Sequence, residues 1–236
     1  LDKDYEVLAL SVDYGQRHRV ELDHAARIIE PLGLRHEIAD LTSIANLLGG
    51  SSQTDDSVEV PLGHYAAETM KQTVVPNRNM ILLSTATAWA IREKAGSVAY
   101  AAHAGDHAIY PDCRNEFAEA LGGAIALADW HEVELLRPFL DKTKEDIARL
   151  AGELGVPLEL TWSCYQGGRR HCGACGTCIE RREAFLLAKL SDPTEYDSLA
   201  PALRRGEDGV FVIDWKETIE GGEMPPGRRV GAGEPA

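Results

Sequence analysis

The sequence predicts an α/β protein, a parallel sheet covered by helices on both faces, with a zinc-binding four-cysteine loop near the C-terminus. Three observations carry that prediction. Short β-like apolar runs alternate with helical patterns through the first 154 residues, the signature of parallel strands covered by helices on both faces. After Pro157 the rhythm breaks, and four of the five cysteines fall between Cys164 and Cys178. The 236 residues, 44% hydrophobic and 26% charged, suffice for one well-buried domain plus some extra chain.

Glu6 to Val12 (EVLALSV) reads as a buried strand ending in the polar loop Asp13-Tyr14-Gly15-Gln16. Leu22, Ala25, Ala26, Ile29 and Leu32 recur at three- and four-residue spacing until Gly33 stops a helix, and Arg35 to Ala39 follows as a short strand. Residues 43–75 hold Gly49-Gly50-Ser51-Ser52 and Pro61 without periodicity, which predicts a long loop or flexible insertion. A helix from about Asn79 to Lys94, apolar on nearly all sides, is expected to be buried, with Ser97 to Ala102 the next strand. Asn115 to Ala128 is alanine-rich and helical, Glu132 to Leu136 alternates like a strand, and Thr143 to Leu154 places Ile147, Leu150, Ala151 and Leu154 on one helix face. A last helix is expected from about Ile179 to Leu190, ended by Asp192-Pro193; Val210 to Trp215 reads as an edge strand, and the Gly- and Pro-rich chain from Gly221 as a disordered or draped tail.

Acidic residues outnumber basic ones 38 to 24, a net charge of −14 that would repel a phosphate backbone, so no nucleic-acid partner is expected. The longest apolar runs, Met80 to Leu83 and Phe185 to Ala188, are far shorter than the roughly 20 residues that span a bilayer, so no membrane association is expected. Without a basic n-region and apolar core at the start, the cytoplasm is the expected compartment. In a reducing compartment a cysteine cluster points to a metal site, with two disulfides or four separate buried thiols as the alternatives.

Cys164, Cys172, Cys175 and Cys178 are separated by seven, two and two residues, and Gly173 and Gly176 relieve crowding where backbone amides turn toward thiolates. Four soft ligands suit tetrahedral zinc, with an iron–sulfur cluster as the alternative. A complete thiolate set leaves no position open for a substrate, so this zinc would be structural, pinning Trp162 to Cys178 against the following helix. His171 is either a further ligand or a solvated loop residue. Cys113 is either reactive or a small packing residue.

Ligands of parallel sheets bind beyond the carboxyl ends of the strands, which draws attention to three motifs there. In Asp13-Tyr14-Gly15-Gln16 the glycine permits close backbone approach, while the carboxylate and amide can read hydroxyls or a base edge; an ordinary polar turn is the alternative. Val75-Pro76-Asn77-Arg78-Asn79 precedes a helix whose first-turn amides, with Arg78, are placed either to hold an anion or simply to cap the helix. His103 to Arg114 packs Asp106, His107, Tyr110, Asp112 and Arg114 into one loop, a density of polar groups that favours a ligand site over a solvated loop. Lys144, in the first turn of its helix, either faces a phosphate or is solvated.

In chain order, DYGQRH (Asp13 to His18), VPNRN (Val75 to Asn79), YPDCR (Tyr110 to Arg114), TKEDI (Thr143 to Ile147) and TWSCY through CGACGTC (Thr161 to Cys178) closely resemble the 7-cyano-7-deazaguanine synthase family of queuosine biosynthesis, within the ATP pyrophosphatase (PP-loop) superfamily. The resemblance runs from about Glu6 to Phe185. It implies a doubly wound parallel sheet of the adenine nucleotide α hydrolase-like fold and an ATP-dependent ligase forming carbon–nitrogen bonds. The implied substrates are 7-carboxy-7-deazaguanine, ammonia and ATP, the last with magnesium, and the acid would pass through adenylated acid and amide intermediates to 7-cyano-7-deazaguanine (preQ0). Arg78, Arg114 and Lys144 are the catalytic candidates. Asp13, Tyr14, Gly15, Gln16, Asn79, Asp106 and Asp112 would bind nucleotide or deazapurine, and Tyr110 would cover the ring.

The resemblance divides the chain into a nucleotide-binding α/β domain at residues 1–160, a zinc loop and helix at 161–192, and a C-terminal extension at 193–236. The superfamily's Ser-Gly-Gly-x-Asp-Ser loop does not occur in residues 1–236, and about twenty residues carrying a strand, that loop and a helix are expected upstream of Leu1. A homodimer is expected, through an exposed apolar face or a strand added by the C-terminal extension. Three alternatives accompany this reading: a synthase-like relative that attaches the activated deazaguanine to a macromolecule, a tRNA-modifying PP-loop enzyme, and a catalytically inactive zinc-stabilised scaffold.

Overall fold

The structure, a computed structural model, describes residues 4–64, 67–106, 110–198 and 200–214. The apolar run after Glu6 forms β1 (Leu8–Asp13), and the amphipathic stretch behind it forms α1 (Val20–Ile29), which turns Leu22 inward. A further helical turn ends at Gly33 in the left-handed region (φ 64°), a conformation that costs glycine little. The chain then returns as β2 (Arg35–Asp40), parallel to β1, with Leu8 opposite Arg35 and Asp13 opposite Asp40. The carboxyl ends of both strands therefore open onto the same side.

After a short α2 (Ala67–Lys71), the long α3 (Arg78–Glu93) leads to β3 (Ser97–Ala99), and α4 (Asn115–Ala126) crosses to the parallel β4 (Glu134–Leu136). Leu83 and Ala90 of α3, Val98 of β3, Leu121 and Ile125 of α4, and Val133 close one hydrophobic core between them. Arg35 of β2 donates to both oxygens of Glu93, at 2.6 and 3.2 Å, and lies over Trp89, tying α3 to the first strand pair. α5 (Lys144–Glu153) packs on α6 (Gly176–Ala188), and β5 (Ala202–Arg205) pairs antiparallel with β6 (Phe211–Asp214).

The α/β character agrees with expectation, but the parallel strands form two separate pairs, β1–β2 and β3–β4; among the described residues no hydrogen bonds join them into one doubly wound sheet. β1 is half-buried rather than buried up to Asp13, because it is bonded along one edge only. α3 fully buries only Leu83, Thr87 and Ala90 and exposes Met80; Ala86 and Ile91 are half-buried against the core with α4, and Ile81 and Leu82 against Tyr14, Leu48 and Val75. The 43–75 segment is largely a long loop, as one of the two expectations had it, but its middle is packed inside the protein, with Ser51, Ser52 and Gln53 at 0% exposure. Backbone hydrogen bonds make that burial tolerable: the Ser52 amide donates to Gln72 O at 2.7 Å, and the Gln53 side-chain amide donates to Thr73 O. The late strand is found at Phe211–Asp214, but in its own hairpin with β5 rather than at an edge of the parallel sheet. Trp215 and the tail from Gly221 lie outside the described residues.

α5 carries a reciprocal cap: the Asp146 amide donates to Thr143 Oγ1 at 3.1 Å, while the Thr143 amide donates to Asp146 Oδ2 at 3.0 Å. Thr143→Ala is expected to lower stability by about 1 kcal/mol in urea unfolding without changing the fold. No measurable loss would mean that the cap contributes little.

Candidate active site and metal centre

The turn after β1 is built by its own side chains. Asp13 is buried; its carboxylate accepts from Arg19 Nε at 2.5 Å and from the Gly15 amide at 3.2 Å. Gln16, also buried, accepts from the Tyr14 amide and donates to Val12 O and Glu21 Oε1. Gly15 has φ +85°, and a Cβ there would sit 2.8 Å from Ala45 Cβ, so this position requires glycine.

Arg78 opens α3 behind Asn77, which is itself left-handed (φ 57°) and makes no side-chain cap. Its Nη1 donates to Gln53 Oε1 at 3.3 Å. Burial opposes the Arg78 charge, but the oxygens of Tyr14 and Tyr165 and the Asp112 carboxylate outweigh it and hold the guanidinium above its ordinary value. The next amide of the first turn, that of Asn79, donates to Asp112 Oδ2 at 3.3 Å, so the 103–114 loop docks on this helix end. Tyr110 is buried in the same loop and exchanges a 2.8 Å hydrogen bond with Thr73. Asp106 Oδ2 lies 3.3 Å from His103 Nε2. His107 lies outside the described residues.

The four cysteines converge as their spacing predicts. Their Sγ atoms all lie within 4.8 Å of one another, and Cys164, Cys175 and Cys178 are fully buried. Tetrahedral zinc–thiolate coordination sets sulfur–sulfur edges of about 3.8 Å, and Cys172 and Cys178 Sγ are 3.9 Å apart. The Cys172 amide donates to Cys164 Sγ at 3.3 Å, and those of Ala174 and Cys175 donate to Cys172 Sγ at 3.4 and 3.2 Å, stabilising charged sulfurs. Cys175 stands at the N-cap of α6 and Cys178 in its first turn, where the helix dipole favours thiolates; α6 thus starts at Gly176, three residues earlier than periodicity indicates. The donor set fits a divalent metal that prefers sulfur. His171 is neither ligand nor solvated: it is buried, accepts from the Ser163 amide through Nε2 at 3.1 Å, and lies 4.2 Å from the Trp162 ring.

The metal loop is laid across the turn after β1. Gly167 (φ +66°) has no room for a Cβ, which would meet Arg17 O at 2.5 Å and His18 Cα at 3.0 Å. Tyr165 stacks on His18 with ring centroids 5.1 Å apart. On the other side the Gly63 amide donates to Ala174 O at 2.8 Å. Beside this junction a cleft of about 340 Å³ is lined by Glu21, Lys144, Trp162, Tyr165, Arg181 and Phe185, among others. Lys144 Nζ is paired with Glu180 Oε2.

Of the candidate residues, Tyr14, Arg78, Tyr110, Asp106 and Asp112 come together around Tyr165, which interacts electrostatically with the first four. Asn79 joins them through Asp112, and Gln16 through Glu21. Lys144 approaches by way of Glu180, whose carboxyl burial holds above its ordinary value. Arg114 is exposed, at the N-cap of α4. Tyr165, Glu21, Gln53 and Glu180 are the members that sequence reasoning missed. Tyr165 lies inside the TWSCY motif and had a signal; the others are brought in only by tertiary packing.

A family model described as queuosine biosynthesis protein QueC matches residues 1–189. The chain belongs to that family. Among its relatives, the 7-cyano-7-deazaguanine synthase of Pseudoalteromonas atlantica is 52% identical over 193 residues, covering 82% of this chain and 88% of the relative. Those of Allorhizobium ampelinum and Brucella ovis are 53% and 54% identical, over 82% and 80% of this chain and 83% and 82% of theirs. The four-cysteine centre and all five motifs fall within the region matched to QueC. No helix among the described residues is long and apolar enough to cross a membrane.

Cys113 stands apart from the metal centre, buried, with its thiol pushed up to about 12 by burial first and by Asp106 and Asp112 next. It is therefore protonated throughout the neutral range, and its contribution to stability is fully present below its unfolded value near 9 and lost as pH rises toward 12. Iodoacetamide at pH 8 is expected to leave Cys113 unmodified in the folded protein, even after chelation opens the other four cysteines. Early alkylation of Cys113, followed by peptide mass spectrometry, would contradict its placement.

Proposed function

We propose that this chain converts 7-carboxy-7-deazaguanine to 7-cyano-7-deazaguanine, using ATP with magnesium and ammonia. The observation that carries the reading is identity above 50% to proteins of that name across more than four-fifths of both chains. In the proposed reaction the substrate carboxylate attacks the α-phosphate of ATP and expels pyrophosphate. Ammonia then displaces AMP from the acyl-adenylate to give the amide. A second adenylation, now of the amide oxygen, makes that oxygen a leaving group; loss of AMP and of the amide protons leaves the nitrile.

Each activation builds charge on phosphate oxygens, and the role of the protein is to place cations and amides there beforehand. Arg78 suits that role: it is already charged, donates to the neutral Gln53 amide oxygen, and stands at the N-terminus of α3. Lys144 is proposed to exchange Glu180 for a phosphate oxygen, and Arg114 to approach from the α4 N-cap. Asp13, Tyr14, Gly15, Gln16, Asn79, Asp106 and Asp112 shape the surface that meets nucleotide and deazapurine, with Tyr110 against the ring. The metal at Cys164, Cys172, Cys175 and Cys178 is proposed to be zinc. With four thiolate ligands it holds structure and leaves no coordination position for chemistry. A cytoplasmic homodimer and the three-part division at residues 160 and 192 complete the proposal.

Incubation with 7-carboxy-7-deazaguanine, ATP, magnesium and ammonium, followed by mass spectrometry of the small molecules, is expected to show the nitrile and AMP. Arg78→Ala is expected to lower the rate about 10²-fold or more while the metal stays bound. Arg114→Ala is expected to slow the reaction as well. Unchanged acid with ATP intact would reject the synthase reading, and an unchanged rate in either variant would remove that arginine from the catalytic set.

A further inference from the structure

Five buried side-chain polar atoms among the described residues lack a hydrogen-bond partner: Arg17 Nε, His18 Nδ1, Ser52 Oγ, Arg78 Nε and Tyr100 Oη. Each such group is costly when left unmade, so isolated cases are rare and a group of them calls for a cause. Four of the five belong to one neighbourhood. Gln53, fully buried, ties them together: its backbone carbonyl accepts from the Arg17 amide at 2.7 Å, its Oε1 accepts from Arg78 Nη1 at 3.3 Å, and Ser52 is its chain neighbour. His18 follows Arg17 in the chain and is buried beside it.

The charge balance here is as uneven as the hydrogen bonding. Arg17 Nη2 is held by the carbonyls of Asp55 and Val58 at 2.9 and 3.0 Å, and its carboxylate contact, Asp56 at 3.5 Å, is 97% exposed. Arg78 bonds Gln53 Oε1 and the Tyr14 phenol, both neutral, while Glu21 and Asp112 act on it through charge alone. Two guanidiniums, that of Arg78 buried and that of Arg17 on a side chain 19% exposed, thus stand in a chain of net charge −14 without a carboxylate in close, buried contact. The fixed planar fork of arginine and a serine hydroxyl are the donors that suit carboxylate and phosphate oxygens.

We infer that Arg17, Ser52 and Arg78 form a buried pocket for a small oxyanion, a carboxylate or a phosphate group. Arg17 Nε, Ser52 Oγ and Arg78 Nε are its donors, and Gln53 sets their spacing. The inference rests on the synthase reading only for which oxyanion enters, the substrate carboxylate or a phosphate of the nucleotide; the pocket itself follows from the unmet donors. It adds Arg17 and Ser52, from the DYGQRH motif and the buried 51–53 segment, to a site so far described through Arg78.

Ser52→Ala tests it, because this change removes one donor and no existing hydrogen bond of the Ser52 side chain. Calorimetric titration of the chain and of Ser52→Ala would use two probes, inorganic pyrophosphate and 7-carboxy-7-deazaguanine, with 7-cyano-7-deazaguanine as the control that lacks a carboxylate. At least one oxyanion probe is expected to bind and to lose about tenfold or more in affinity in Ser52→Ala, while the control is unaffected. Ligand-free Ser52→Ala is expected to melt no lower than the parent, since an unmet hydroxyl is gone. A loss for pyrophosphate assigns the pocket to the nucleotide, and a loss for the deazapurine acid assigns it to the substrate. If the parent binds pyrophosphate through Ser52 but never binds the deazapurine acid, the pocket stands and the synthase reading falls. Unchanged affinity for both probes in a folded Ser52→Ala, no binding of either by the parent, or a lower melting temperature without ligand would overturn the inference. Arg17→Lys, which keeps the charge and removes Nε, is expected to reproduce the affinity loss should Ser52→Ala fold poorly.

Discussion

Four sulfur atoms within 4.8 Å of one another, three on fully buried residues, are the constraint on which this site depends. Thiolates so close repel strongly in a medium that screens poorly, and only a bound cation makes their convergence favourable. The segment they organise, from Thr161 to Cys175, forms no helix or strand of its own. The sulfurs sit at the centre of a small cluster with Val60, Leu62, Trp162, Tyr165 and Tyr196, and beside it Gly167 lies over Arg17 and His18, Tyr165 stacks on His18, and Ala174 receives the Gly63 amide. The surface around Arg78 is completed by residues that no strand or helix positions directly.

The polar groups at this end of the strands are engaged with one another. Asp13 holds Arg19, Asp112 holds the Asn79 amide, Lys144 holds Glu180, and Tyr110 holds Thr73. Such pairs keep a dense set of polar side chains soluble and oriented, and each is a partner that a ligand can replace. The donors left out of this pairing gather around Gln53. A chain with excess negative charge overall thus places two guanidiniums beside the buried Ser51 to Gln53 segment, while its net charge disfavours polyanions.

What the sequence disclosed follows the range over which each signal acts. α1 and its stop at Gly33, and α5 behind Thr143, were legible because periodicity and capping are local. The metal centre was legible for the same reason, since three of its ligands lie within seven residues. The burial of Ser51 to Gln53 was hidden, because polar residues with turn propensity look alike whether water or backbone carbonyls satisfy them. The half-burial of β1 and the separate β5–β6 hairpin depend on which edges are paired, and apolar runs do not encode that. In the site, Arg78 and Tyr110 were visible as dense polar motifs, while Glu21, Gln53 and Glu180 enter through contacts with residues distant in sequence.

Metal ligation holds the 163–178 loop onto the turn after β1, and hydrogen exchange of the zinc-loaded and the chelator-stripped chain, followed peptide by peptide, reads that dependence. Stripping is expected to release protection at Gly63 and Cys172, whose amides donate into the loop, and at Arg17, which lies under Gly167, while α3, α4 and the core around Leu83 and Val98 keep theirs. Unchanged protection at Gly63 and Cys172 after complete metal removal would contradict it.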